Sequence, residues 1–437
     1  MKSNFKKFIA LILKLESQLV LSKYKPKIIA ITGSVGKTST KDAVYAILSK
    51  VSYVRKSQKS FNSEIGLPLT ILGIPNGWNN PLVWLENVGR GLWLFLAPHK
   101  YPKWLVLEVG IGKPKDMKKT ALWLKTDAVI ITAIGSTPPH IEFFESLKHL
   151  VEEKSELIKT LKQGGLLILN ADDESVLAMK SKTRNIVTTF GFNEGAELLG
   201  TGENIFYNEQ GIPTGIIYRV DHEGKSLPVV IEGVFGRNHV YATLAALALA
   251  SGLKLNMLTA VEALKNYDVP PGRMRLLAGI EDSLIIDDTY NSSPLAAESA
   301  LGTLGGIKEK EEGRKIAILG DMLELGRYTV EAHKDIGRLA KENLDSDTDV
   351  LIVVGQRAKG IKEGATAAGM NERNIIEFLD SSAAAEFMKT FIKKNDIVLV
   401  KGSQGMRMER VVEAILHDQA NKKKLLVRQD SEWLLKK

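Results

Sequence analysis

The sequence predicts an α/β protein in two main parts. The first is a P-loop-containing central parallel-sheet domain with a small antiparallel β appendage, and the second is a doubly wound C-terminal domain of Rossmann type. Three observations lead there. Short apolar runs rich in β-branched residues alternate with helical patterns along most of the chain, the order that gives parallel sheets with crossover helices. The first of these runs feeds a glycine loop that opens a helix. A Pro-Pro-Gly break at residues 270–272 separates one set of strand and helix patterns from the next.

With 437 residues the chain exceeds what one hydrophobic core organises, so two or three domains are expected. Hydrophobic residues at 44% and charged residues at 25% describe an ordinary globular composition, which excludes a disordered or fibrous chain. The absence of cysteine excludes disulfides, zinc-thiolate sites and thiol nucleophiles. A formal charge of +8 suits nucleic acid, an anionic membrane surface or a polyanionic substrate. A nucleotide-bearing or phosphate-bearing substrate is the expected cause, and nucleic acid is not expected as a partner.

Residues 1–26 are basic and apolar, but Lys14 and Glu16 interrupt the apolar run and no small-residue cleavage site follows. An amphipathic helix packed on the main domain is expected, with a membrane-surface or partner contact as the alternative. Buried strands are expected at Ile28–Thr32, Trp104–Glu108, Ala128–Thr132, Leu166–Asn170 and Asn185–Thr189. Between Asn76 and Lys103 an aromatic-rich stretch holds Trp78, Trp84 and Trp93, and the expectation is a helix covered by the rest of the fold. From Leu198 to Val234 alternating residues and Gly, Pro and Asn turns predict antiparallel ribbons. An alanine-rich helix from Tyr241 to Ser251 and a second helix ending near Tyr267 close the central domain, 27–271. Strand patterns at Ser283–Asp287, Lys315–Leu319, Val350–Val354, Ile375–Phe378 and Ile397–Val400 then alternate with helices through the C-terminal domain, 272–437.

The strongest local signal runs from Ile28 to Thr40, Ile-Ile-Ala-Ile-Thr-Gly-Ser-Val-Gly-Lys-Thr-Ser-Thr. Its chemistry is phosphate binding. Gly33 and Gly36 allow close backbone approach, and the helix start offers free N–H groups around Ser34 and Ser39. Lys37 reaches the terminal phosphates and Thr38 can ligate Mg²⁺, so ATP or GTP with Mg²⁺ is implied. The usual pattern has a further glycine where Ile31 stands, which makes this a variant loop.

This loop resembles that of the Mur ligase and folylpolyglutamate synthase superfamily, and further matches follow in the family's order. They are Phe61 to Thr70, Leu105 to Gly110, Thr132 to Glu142, Glu153 to Ile158, Leu169 to Asp173, Ile286 to Pro294, Ile318 to Gly326 and Val398 to Arg410. The last three are most similar to the members that add D-alanyl-D-alanine to a muramoyl-tripeptide precursor. The resemblance implies an ATP-dependent ligase that forms an amide through an acyl phosphate, in a cytoplasmic monomer. The alternatives are a related amino-acid ligase with another acceptor and a non-catalytic ATP-binding module.

By the same resemblance, Thr38 and Glu108 hold Mg²⁺ between phosphates and His140 is a ligand of a second Mg²⁺. Lys154, by itself readable as a solvated-face lysine, corresponds to a lysine that the family carbamylates, which would make it a further metal ligand. Lys37, His140 and Lys154 form the expected catalytic set. Asn238, His239, Asp288, Tyr290 and Asn291 are assigned to adenine and ribose, and Arg273 to the γ-phosphate on domain closure, whereas Arg275 reads as a surface charge. The order Asn238-His239, with Ala242 after it, departs from the family's His-Asn pattern and leaves open which residue meets adenine. Ala133 likewise replaces a more common asparagine. The resemblance also implies a UDP-binding domain ahead of the phosphate loop, yet only 26 residues precede Lys27, and residues 10–26 match the helix that leaves such a domain. The expectation is a chain lacking it. The acceptor is then held by other surfaces, is lipid-linked, or is reached through a partner that supplies the domain.

Overall fold

A computed structural model describes residues 3–58, 61–78, 80–344, 346–430 and 433. Its strands are β1 (Lys27–Thr32), β2 (Val54–Lys56), β3 (Trp104–Glu108), β4 (Thr126–Ile131), β5 (Leu161–Asn170), β6 (Ile186–Gly191), β7 (Leu198–Tyr207), β8 (Pro213–His222) and β9 (Lys225–Glu232), then β10 (Arg275–Ala278), β11 (Leu284–Asp288), β12 (Lys315–Gly320), β13 (Val350–Val354), β14 (Ile375–Phe378) and β15 (Ile397–Lys401). The first nine form one sheet in the order β2-β3-β1-β4-β5-β6-β7-β8-β9, and the last six form a second in the order β10-β11-β15-β12-β13-β14.

In the first sheet the pairs from β2 through β7 are parallel. Ile28 to Ile31 are all buried, as expected of a central strand covered on both faces. The segment expected as an antiparallel appendage continues this sheet rather than standing apart. β7 joins β6 in parallel through only two residue pairs, and the antiparallel pairing begins with β7–β8 and β8–β9. The second sheet is parallel except for β10, which runs antiparallel to β11. Two strands had no counterpart among the sequence expectations, the three-residue edge β2 and the hinge strand β10. β10 also bonds back across the hinge, where Phe235 N–H donates to the Met274 carbonyl and Leu276 N–H to the Gly233 carbonyl.

Three helices matter for position. α1 (Ser3–Tyr24) lies against α3 (Gly66–Leu72) and α4 (Pro81–Leu96), while α2 (Lys37–Ser49) follows β1 and packs under the alanine-rich helix Arg237–Gly252. Asn80 caps α4 by accepting from Leu82 N–H, and Pro81 occupies the first turn, where its missing N–H is harmless. Only one side of α4 is covered. Trp84, Asn87 and Gly91 are buried, but Leu85, Trp93 and Leu96 face outward, so the expectation of a covered helix is corrected to a half-covered one.

Candidate active site

The site is built on the turn between β1 and α2. Gly33, at φ 146°, sits so close to the next strand's end that a Cβ there would lie 1.9 Å from Thr132 Oγ1. Gly36 is left-handed at the start of α2, which directs the first-turn amides of the helix outward. Ser34 N–H and Val35 N–H donate to the Ala133 carbonyl and fasten the loop to the end of β4.

Two ammonium groups converge on this turn. Lys37 Nζ and Lys154 Nζ each donate to the Gly33 carbonyl at 2.9 Å. Burial lowers the Lys37 pKa to about 8 against the pull of Glu108. Lys154 is 4% exposed, and burial together with the charge of Lys37 holds it well below the ordinary lysine range. Although its neighbours alone read as a solvated face, Lys154 lies in the site, as the family resemblance implied: its helix, Leu147–Ser155, turns it inward while Glu153 faces Met117 N–H.

Opposite the lysines, Glu108 at the end of β3 is fully buried. Its Oε2 accepts from Thr38 Oγ1 at 3.0 Å and its Oε1 from Asn62 Nδ2 at 3.1 Å. Thr38 and Glu108 are hard oxygen donors side by side, the donor type that Mg²⁺ selects. Among the described residues no group of three or more His, Asp or Glu side chains is assembled to hold a metal unaided. A cation at Thr38 and Glu108 would complete its shell with water or phosphate oxygens, which fits a site that binds metal and nucleotide together.

His140 lies beyond the loop, and its Nδ1 is 2.7 Å from Glu324 Oε2 of the C-terminal part. Burial and the neighbouring Lys37 and Lys154 lower its pKa to about 4, so the ring is neutral at ordinary pH. A neutral ring with its proton on Nδ1, the nitrogen beside Glu324, would keep the Nε2 lone pair for a metal. Both residues are non-glycine yet left-handed, His140 at φ 69° and Glu324 at φ 63°. Glu324 was given no role from sequence, although it lies within the Ile318–Gly326 motif.

A cavity of about 880 Å³ opens beside the loop, between the alanine-rich helix and the helix Pro294–Gly306 of the C-terminal part. Gly135, Arg237, Asn238, Tyr241, Leu295 and Glu298 are on its wall, and its volume suits a nucleoside. Asn238 and Tyr241 also border a smaller hollow against Val35 and Gly36, so the cavity leads toward the phosphate loop. Two aspartates from the Leu169–Asp173 motif shape it. Asp172 accepts from Tyr241 OH at 2.7 Å, and Asp173 accepts from Ile134 N–H and Gly135 N–H.

The adjacent residues Asn238 and His239 take opposite directions. His239 is 1% exposed, with Nδ1 paired to Tyr267 OH at 2.8 Å and Nε2 to the Arg273 carbonyl at 2.7 Å. It clamps the hinge and is not on the cavity wall. Arg273 lies over the Tyr290 ring at 4.0 Å, close enough to lower the pKa of Lys37 electrostatically. Asp288 and Asn291 are likewise not on the wall. Asp288 accepts from Lys401 Nζ and Met274 N–H, and Asn291 Oδ1 accepts from Gln404 N–H. Arg275, expected as a surface charge, is partly buried and its guanidinium reaches the Lys424 carbonyl.

A phosphate loop with paired lysines, a buried Thr–Glu donor pair and a nucleoside-sized cavity between two α/β parts define a nucleotide-dependent enzyme with a metal-assisted site. The Mur ligase middle domain profile matches residues 31–250, half of the chain, and the Mur ligase glutamate ligase domain profile matches 272–404. The chain belongs to the Mur ligase family, whose members are ATP-dependent ligases. It is 30% identical to UDP-N-acetylmuramoyl-tripeptide–D-alanyl-D-alanine ligase of Synechocystis, over 89% of this chain and 74% of that relative. The Bacillus subtilis enzyme of the same name is 27% identical over 89% of this chain and 76% of its own length. Among solved structures, MurF ligase from Thermotoga maritima in complex with ADP superposes with TM-score 0.74 at 26% identity, covering 93% of this chain and 83% of that one. MurF from Acinetobacter baumannii, at 23% identity and TM-score 0.74 over 92% and 79%, shares the fold.

Proposed function

We propose that the protein joins D-alanyl-D-alanine to a muramoyl-tripeptide peptidoglycan precursor, using ATP and Mg²⁺. The observation that supports it most directly is the shared wall of Lys37, Lys154, Thr38 and Glu108 around the Gly33 turn, in a chain aligned along most of its length with ligases of that name.

In this reading ATP supplies the phosphoryl group that activates the acceptor's carboxylate as an acyl phosphate, and Mg²⁺ screens the charge that develops. The chain's own residues do the positioning. The Gly33–Gly36 turn and the start of α2 hold the phosphates, and the arriving phosphate charge favours the ammonium form of Lys37 beside it. Asn238 and Tyr241 orient the nucleoside. Arg273 lies at the hinge within electrostatic range of Lys37, placed to add a cation when both substrates are enclosed.

Lys154 has a separate role. A buried lysine held below its ordinary pKa more readily supplies the neutral amine, whose nitrogen lone pair forms the bond to CO₂ as an N–H proton is released to solvent, and the resulting carbamate is an anionic oxygen donor. Carbamylation would turn the repulsion between Lys37 and Lys154 into attraction and add a metal ligand beside Glu108 and His140.

The test is phosphate release from ATP and Mg²⁺ by purified protein. D-alanyl-D-alanine with UDP-muramoyl tripeptide is compared with each alone and with glutamate plus folate. Release with the first pair only, with a product of matching mass, is expected. Release with glutamate and folate would overturn the substrate assignment, and silence with every pair would overturn the ligase reading for these acceptors.

A further inference from the structure

The apolar stripe on α1 and α4 is unexplained by the ligase chemistry. On α1, Phe8, Leu11, Leu15 and Leu19 recur at helical spacing and face outward, opposite the buried Ile9, Leu13, Ser17 and Val20. On α4, Leu82, Leu85, Leu92, Trp93 and Leu96 do the same. All nine are between 43% and 73% exposed.

The two helices lie side by side in the same direction. Glu16 of α1 packs where a Cβ on Gly91 of α4 would be 2.3 Å from its Oε2. Seven residues on, Lys23 Nζ donates to the Phe95 and Ala97 carbonyls at the end of α4. Glycine at 91 is what lets the helices approach so closely, and the approach sets the two outward stripes next to each other.

Charge distinguishes between occupants. Residues 1–27 and 80–103 hold ten lysines and arginines against two acids, Glu16 and Glu86. Glu16 is buried and Glu86 is paired with Arg90 at 2.6 Å. The remainder of the chain has 49 basic and 49 acidic residues, so these two segments contain the entire +8. The net excess is thus concentrated in sequence away from the phosphate-loop motif, whose own lysines are balanced within the rest of the chain. It lies in the two segments that carry the apolar stripe, with Lys25, Lys100 and Lys103 exposed at one end.

We propose that α1 and α4 form a two-helix surface that docks on an anionic phospholipid bilayer, with the leucines, Phe8 and Trp93 entering the headgroup boundary and the lysines meeting lipid phosphates. Binding of this kind needs an apolar face and a basic fringe together, and both are present here. Among the described residues no helix is long and apolar enough to cross a membrane, so the contact is peripheral.

The experiment is co-sedimentation of the purified full chain with vesicles of phosphatidylcholine alone or mixed with phosphatidylglycerol, at low and high salt. Binding to the mixed vesicles, weakened about tenfold or more by salt or by neutral lipid, is expected. A Leu11→Gln, Leu15→Gln, Leu85→Gln, Trp93→Ser variant should lose it while keeping the wild-type circular dichroism, because each side chain is exposed. Lys100→Glu with Lys103→Glu should weaken binding to the anionic vesicles only. Equal partition of wild type and the apolar variant, or no preference for anionic lipid, would overturn the proposal. So would a self-associated wild type that the apolar variant turns monomeric without any vesicle binding, which would assign the face to a second copy of the chain.

Discussion

Replacing Glu324 with alanine separates a metal-orienting role from a fold-stabilising one. Glu324 Oε2 lies 2.7 Å from His140 Nδ1, and the two side chains are 41% and 37% exposed. A pair so open to water is screened, and its loss should change stability by less than about 1 kcal/mol. If His140 is a Mg²⁺ ligand, as proposed by resemblance, the same contact orients its ring, and loss of such a partner weakens metal affinity by about 10–100-fold. The metal effect therefore dominates. Phosphate release measured across a Mg²⁺ titration should show a midpoint raised by about that factor for Glu324→Ala, with turnover recovering at saturating Mg²⁺ and an unchanged melting temperature. Glu324→Gln keeps an oxygen able to accept from Nδ1–H and should fall between the two. An unshifted Mg²⁺ midpoint in Glu324→Ala would refute the reasoning and reduce the contact to a surface ion pair.

Other expectations follow from neighbouring geometry. Lys154→Ala should lose turnover and regain part of it with added short carboxylic acids that restore an anionic oxygen; normal turnover without additive would remove the carbamate from the mechanism. His239→Ala abandons two buried hydrogen-bond partners and should destabilise the protein by about 3 kcal/mol in denaturant titration. Asn238→Ala should leave the melt alone and raise the KM for ATP, and the reverse pattern in the two variants would exchange their roles. Burial raises the Glu16 carboxyl pKa to about 7, so the fold favours its neutral form and stability falls as pH rises from the usual carboxylate range through 7. Glu16→Gln should therefore melt higher than wild type near pH 8 and together with it near pH 5, and parallel melting curves at both pH values would refute this.

What could be read from the sequence was local or periodic. Val350–Val354 was expected at the bounds observed because an all-buried parallel strand leaves an unbroken apolar run, and Ile375–Phe378 was also expected at its bounds although Glu377 breaks the run and only Ile375 is buried. The Gly33–Thr38 turn was legible because loop, helix start and lysine are adjacent in the chain. β7 was legible as a strand but not as a parallel neighbour of β6, since that pairing depends on only two residue pairs and the short turn at residues 193–195 between the strands reads equally as a hairpin. β2, with three residues, is shorter than any period that could reveal it.

What the local sequence left undecided at the site has one physical reason. Helical spacing tells which residues lie together, but what a helix face meets is decided by the tertiary packing. Asn238 and His239 are one step, about 100°, apart on their helix. That step places one on the cavity and the other on Tyr267, and nothing in the local order says which. Lys154, among Glu152, Glu153 and Glu156, has the local composition of a solvated face, and only the position of its helix beside the Gly33 carbonyl buries it. The same argument in reverse applies to α4. Its tryptophans and leucines have the composition of a covered helix, yet Gly91 and Asn87 define the side that packs and leave Leu85, Trp93 and Leu96 on the outside. Small residues at 87 and 91 were the available signal for which face is inward. Once that face is fixed, with Trp84 on it, helical spacing turns Leu85, Trp93 and Leu96 toward solvent or toward whatever covers them.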